Sequence, residues 1–254
     1  MRALYGMVIL GLCGLAGIGG ARADDPESCA VPSSLLFPDA SLSRVAAAVT
    51  KEHRLPITVI GTGSSMVQWK DGSNIAYPAR LEAALKAKLP DVNVTVTARA
   101  KPRQTAADMV QTLQKVLAED KPALVIWQTG TADAMKGIDP EEFRTALNDG
   151  IEALQAGGAD VILVNMQYSP RTESMIAVGG YADGIRLVGR EREVPVFDRL
   201  AIMRHWSDTG VFDFFAPTKD VTLAKRVHDC IGRALASMII EAAHLGTGEP
   251  KESK

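Results

Sequence analysis

Apolar positions along this chain follow two alternating rhythms. Short β-branched runs fall at 57–61 (ITVIG), 92–97 (VNVTVT), 123–127 (ALVIW) and 160–165 (DVILVN), with a weaker one at 194–197 (VPVF). Stretches with helical spacing lie at 41–54 (SLSRVAAAVTKEHR), 77–89 (YPARLEAALKAKL), 104–119 (QTAADMVQTLQKVLAE) and 140–156 (PEEFRTALNDGIEALQA). Pro140, Glu141 and Glu142 at the start of the last of these, and Gly157-Gly158 at its end, are the punctuation that a helix expects. A final helix is predicted over about 220–244. Strands alternating with helices of this length build β-α-β units around a parallel sheet. The expectation is an α/β fold: a three-layer α/β/α sandwich on a parallel five-stranded sheet, flavodoxin-like in type.

The first part of the chain departs from this rhythm. Met1-Arg2 is followed by an almost wholly apolar or glycine run, and Ala21-Arg22-Ala23 then gives a small-residue cleavage pattern before Asp24-Asp25. Residues 1–23 therefore read as a secretory signal peptide. Residues 24–54 form a lead-in and helix, 55–245 the α/β domain and 246–254 a polar tail. Leu12 is too large for the position before a lipidated cysteine, so Cys13 does not read as a lipoprotein anchor. Removal of the leader leaves Cys29 and Cys230, which an oxidising compartment could pair or leave as two thiols. The reading is a periplasmic or secreted protein with no integral membrane segment after cleavage.

Bulk composition narrows the function. With 46% hydrophobic and 23% charged residues the chain has ordinary globular composition. A net charge of −2 and 5% aromatic content give neither a field nor a stacking surface for nucleic acid. No phosphate-loop or dinucleotide glycine pattern occurs, and the histidines and cysteines lack metal-ligand spacing. No cofactor is expected.

Sites in parallel α/β folds lie beyond the carboxyl ends of the strands. That rule selects Gly61 to Trp69, Ala98 to Thr105, Gln128 to Asp133 and Asn165 to Arg171. In the first, GTGSSMVQW, glycines flank two serines and leave room for an accessible hydroxyl.

The order of a serine loop after strand one, a helix beginning Tyr77-Pro78-Ala79-Arg80-Leu81, a loop with Thr105-Ala106-Ala107-Asp108, Gly130-Thr131-Ala132-Asp133 and a late His228 resembles the SGNH (GDSL) hydrolase family. YPARLEAAL, VIWQTGTADA and MQYSP are similar to an exported bacterial branch of it. The resemblance covers roughly 55–240 and implies an esterase or carbohydrate O-deacetylase acting on a small ester or glycan. It makes Ser65 of Gly63-Ser64-Ser65-Met66 the nucleophile, with Ser64 the alternative, and makes His228 the base by its place before the last helix. Three family positions are changed: the oxyanion Gly falls on Arg103, the oxyanion Asn on Ala132, and the orienting Asp on Lys225. Ala132 removes a side-chain donor, a loss of about 10²–10³ in rate. Lys225 places a cation where a carboxylate should steady an imidazolium. Asp220 and Asp229 are candidate replacements, and the Ser65 and Arg103 amides are the remaining oxyanion donors.

The alternative function is a catalytically silent relative that keeps the cleft for a glycan or an anion. Lys101, Arg103 and Lys225 then either line a cationic mouth or point into solvent. Trp69 either stacks on a sugar or packs in the core. Gln167 and Tyr168, at the end of strand four, either face the cleft or support it.

Overall fold

A computed structural model describes residues 29–36, 40–217 and 220–246. The proposed signal peptide and most of the polar tail lie outside these residues. The elements follow the chain as α1 (Ser43–Glu52), β1 (Arg54–Gly61), α2 (Gly72–Ile75), α3 (Tyr77–Lys88), β2 (Asn93–Ala100), α4 (Ala106–Val110) and α5 (Leu113–Asp120). Then come β3 (Leu124–Gln128), α6 (Thr131–Lys136), α7 (Pro140–Ala156), β4 (Asp160–Val164), α8 (Pro170–Met175), α9 (Gly179–Glu191), β5 (Val196–Phe197), α10 (Arg199–Asp208) and α11 (Thr222–Ala242).

The five strands form one parallel sheet in the order β2-β1-β3-β4-β5. This is the expected fold class. Chain order reverses between β1 and β3, and right-handed crossovers then put α3 on one face and α4, α5, α7 and α9 on the other. α11 packs along α3. All five residues of β3 are buried, as a central strand covered on both faces requires. Two glycines let layers approach closely. A Cβ at Gly232 would stand 2.7 Å from the Arg80 backbone, and one at Gly150 would stand 2.3 Å from the Trp127 ring.

The short helices α2, α6 and α8, and α10, were not in the pattern-based reading, and two longer stretches differ from it for a local reason. The single helix expected at 104–119 is broken into α4 and α5, because Thr112 turns its hydroxyl back onto the Met109 carbonyl at 2.8 Å. α9 was not anticipated, since its glycines Gly179, Gly180, Gly184 and Gly189 suppress helical propensity. Gly189 has a packing reason: a Cβ there would meet Val196 of β5 at 2.2 Å. Cys29 and Cys230 form a disulfide with Cα atoms 5.5 Å apart, tying the lead-in to α11. No described helix is long and apolar enough to cross a membrane.

Candidate functional site

The reversal of strand order between β1 and β3 opens a crevice at their carboxyl ends. Ile60 of β1 pairs with Trp127 of β3, so the serine turn after β1 and Gln128 at the end of β3 are neighbours. Ser64 and Ser65 lie in a 3-10 turn, Gly63–Ser65. Gly61 is required beneath it, because a Cβ there would stand 2.1 Å from the Ser65 hydroxyl.

Ser65 is directed inward. It is 2% exposed, and its hydroxyl donates to Gln128 Oε1 and lies 3.2 Å from the Tyr77 hydroxyl. Ser64 is half-buried. Its hydroxyl accepts from Gln128 Nε2 at 2.6 Å. Gln128 is fully buried and also donates to Thr62 at 3.2 Å. One glutamine thus fixes both serines.

His228 does not precede the last helix; it sits inside α11, on the face packed against α3. Its Nδ1 accepts the Tyr77 amide at 2.9 Å, which satisfies one of the free N–H groups at the start of α3. The Nε2 atom therefore carries the proton in the neutral ring. Burial, with the nearby Arg199 charge, pushes the imidazole down to about 3. Among the described residues no hydrogen bond joins either serine hydroxyl to His228. The connection between α10 and α11, where the resemblance expects the base, contains no histidine. Ser65 and His228 are thus engaged with other partners: the Ser65 hydroxyl bonds Gln128, and His228 Nδ1 accepts the Tyr77 amide.

The candidate orienting acids are elsewhere. Asp220 accepts the Thr222 amide at 2.8 Å at the start of α11. Asp229 pairs with Arg80 at 3.0 Å and Arg233 at 3.2 Å. Lys101, Arg103 and Lys225 are exposed, and none bonds to the serines or to Gln128. Arg103 has φ 63°, the left-handed backbone that a glycine would adopt more readily. Lys101 lines a separate cavity of about 250 Å³ beside β2, with Arg99, Gln104 and Lys115. Ala132 is buried in the first turn of α6 and offers no donor. Its neighbour Asp133 is structural: it accepts the Ala106 amide at 2.9 Å and the Gly130 amide at 3.3 Å, joining two of the loops. Burial pushes its carboxyl upward against those bonds. Trp69 is 58% exposed, so it is not core. Tyr168 is buried edge-on against Phe214, with Arg204 over its ring.

The cation that does reach the serine turn is Arg199, the first residue of α10. It is 1% exposed. Its position is set one residue earlier. Asp198 caps α10 through the Ala201 amide at 3.0 Å, accepts Asn165 Nδ2 at 2.7 Å and pairs with Arg186 at 2.6 Å. Asn165 in turn accepts the Leu200 amide at 2.9 Å. This network turns Asp198 toward Arg186 and leaves Arg199 pointing under the serine turn. Its guanidinium donates to the Ser64 carbonyl (3.1 Å), Ser64 Oγ (3.4 Å), Gln128 Oε1 (3.5 Å) and Gln167 Oε1 (3.3 Å), and lies over the Tyr77 ring. Gln167 thus reaches the cluster. Burial pulls the guanidinium down to about 10.

Arg199 and Gln128 were not anticipated as functional residues. Gln128 opens a segment that the strand-end rule selected, and a polar residue closing ALVIW was its signal. Arg199 follows the weakest predicted strand, whose carboxyl end was not included.

A five-stranded parallel sheet in this order, with a serine turn after β1 and a GxxD turn after β3, is the SGNH-type α/β hydrolase fold. The chain belongs to the non-GDSL lipase-like family, whose model matches residues 28–245. Esterase TesA of Pseudomonas aeruginosa is 35% identical over 66 residues, 26% of this chain and 33% of that esterase. The chain thus matches one third of that relative's length. A two-domain esterase active on acetylated mannans superposes with a TM-score of 0.64 at 16% identity, covering 85% of this chain and 58% of that one. A catalytic mutant of an acetylxylan esterase from Geobacillus stearothermophilus gives 0.56 at 16% identity, covering 73% and 93%. At these identities the structural likenesses show the fold.

Proposed function

We propose that this chain uses the cleft of an ester-hydrolase fold to bind a glycan in an exported compartment, without turning over esters through Ser65 and His228. The observation that carries this reading is the Tyr77 amide on His228 Nδ1, together with a Ser65 hydroxyl held by Gln128. General-base catalysis needs a free lone pair within reach of the proton it removes. The replaced Asn position at Ala132 points the same way. The glycan class draws on solved relatives whose names place them on acetylated xylan and mannan. Export draws on the leader pattern, and the Cys29–Cys230 bridge is compatible with it.

The test is hydrolysis of an aryl acetate by the purified mature chain, beside Ser65→Ala and His228→Ala. The expected result is no turnover above buffer that depends on either residue. Turnover in the wild type that both variants abolish would overturn the reading.

A second reading keeps an esterase with Ser64 as nucleophile. It is favoured by the half-buried position of that hydroxyl, between Gln128 Nε2 and Arg199. Turnover retained in Ser65→Ala and lost in Ser64→Ala would establish it.

A further inference from the structure

A buried cation without a counter-charge is costly, and proteins ordinarily pair it with a carboxylate. Even some partly exposed arginines in this chain are paired. Arg186 is paired with Asp198 and Asp183, and Arg99 with Asp120 and Glu119. Arg199 is more buried than either, yet no carboxylate among the described residues lies within salt-bridge distance of it. Its four acceptors are neutral, and at 3.1–3.5 Å all lie at or beyond the long end of the usual range. Its Nε, also buried, has no partner. The guanidinium is therefore positioned firmly by α10 but solvated poorly by the protein.

The surroundings complete a receptor for one kind of group. Ser64 and Gln167 border the guanidinium and are its partly exposed neighbours, whereas Gln128 and Tyr77 beside it are buried. The Ser64 oxygen accepts from Gln128, which leaves its own proton to donate outward. Gln167 turns its carbonyl to Arg199, which leaves its amide N–H groups to donate. Two guanidinium nitrogens, one hydroxyl and one amide are thus donors gathered around Arg199. Planar paired donors of this kind match a carboxylate. Exposed Trp69, in the same connection as Ser64, supplies an aromatic face of the kind that sugar rings stack on.

We infer that Arg199, Ser64 and Gln167 form a carboxylate-binding subsite, and that the ligand is a carboxylate-bearing sugar of the uronate type. This rests on the glycan-binding reading of the same cleft. The guanidinium supplies the charge and the bidentate contact. Gln167 swings aside on its flexible stem to admit the carboxylate, whose charge then compensates the buried cation.

The experiment is calorimetric titration of the mature chain at pH 7 with sodium glucuronate, with methyl glucoside and with inorganic phosphate. Saturable binding of glucuronate and none of methyl glucoside is the expected pattern. Arg199→Gln is expected to weaken glucuronate binding roughly tenfold or more, as loss of a charged hydrogen-bond donor does. Gln167→Ala, at a partly exposed position that spares the core, is expected to weaken it severalfold, so the test does not depend on Arg199→Gln folding. No saturation by glucuronate in the wild type overturns the subsite. So does unchanged affinity in a Gln167→Ala and a folded Arg199→Gln protein, and so does phosphate binding more tightly than glucuronate. Ester turnover is read in a separate assay, so Ser65-dependent hydrolysis would overturn the binding-only reading while leaving a bound carboxylate as part of a substrate.

Discussion

The amide of Tyr77 donates to Nδ1 of His228 at 2.9 Å. This bond turns the residue that family resemblance makes a general base into a cap for α3. It also sets a pH dependence. The folded imidazole titrates at about 3, well below its ordinary value of 6.5, so protonation favours the unfolded chain. The stability contributed by neutral His228 is fully present above pH 6.5 and is lost as pH falls from there toward 3. The loss is at most about 1.4 kcal/mol per pH unit. His228→Gln keeps an acceptor for the amide and removes the titration. Its melting temperature should fall less steeply between pH 6.5 and 4 than that of the wild type, as measured by circular dichroism. Parallel curves for the two proteins would contradict this role.

Ser65 and Gln128 make a second pair with a structural role. Ser65→Ala leaves Gln128 Oε1 with Arg199 as a neighbour, so the expected cost is about 1–2 kcal/mol. Gln128→Leu strands the hydroxyls of Ser65, Ser64 and Thr62 and one contact of Arg199 at once. Its cost should be clearly larger, about 3 kcal/mol or more. Urea unfolding of both variants checks the order; a reversed order would mean that the glutamine is not the hub.

The disulfide closes a separation of 201 residues between Cys29 and Cys230. Loss of such a bridge should cost about 2–5 kcal/mol. In a domain of this size that is roughly 5–15 °C of melting temperature. Differential scanning calorimetry with and without a reductant reads it directly, with equal transitions as the contrary outcome.

Ala132→Asn combined with Lys225→Asp restores two of the changed family positions, but it should not create an esterase. Residue 225 is exposed on α11, and His228 Nδ1, the atom an orienting carboxylate would hold, already binds the Tyr77 amide. Aryl acetate hydrolysis by the double variant should stay at the buffer rate; an increase of about a hundredfold would show that only those two groups were missing.

The sheet was legible because β-branched runs such as ALVIW and DVILVN can satisfy their backbone and side chains only as covered strands. α7 followed from its helical spacing together with its proline, acids and glycines, with the bounds now observed. α9 was hidden because glycines needed for contact with β5 erase the local helical signal. At the site, the strand-end rule found the serine turn and the turn around Ala132, but side-chain direction is a tertiary property. Whether Ser65 points in or out depends on Gln128, 63 residues away. His228 was misplaced because its position was inferred from family order, although the helix expected over about 220–244 already contained it, as the observed Thr222–Ala242 does. Arg199 was missed because a two-residue strand gives almost no periodic signal.

Intact-mass analysis of the mature chain after incubation with a fluorophosphonate tests the central claim most directly, since this reagent reports a serine whose proton a neighbouring base can remove. The account predicts an unchanged mass. A stoichiometric phosphonyl adduct that maps to Ser65 and disappears in His228→Ala would contradict it.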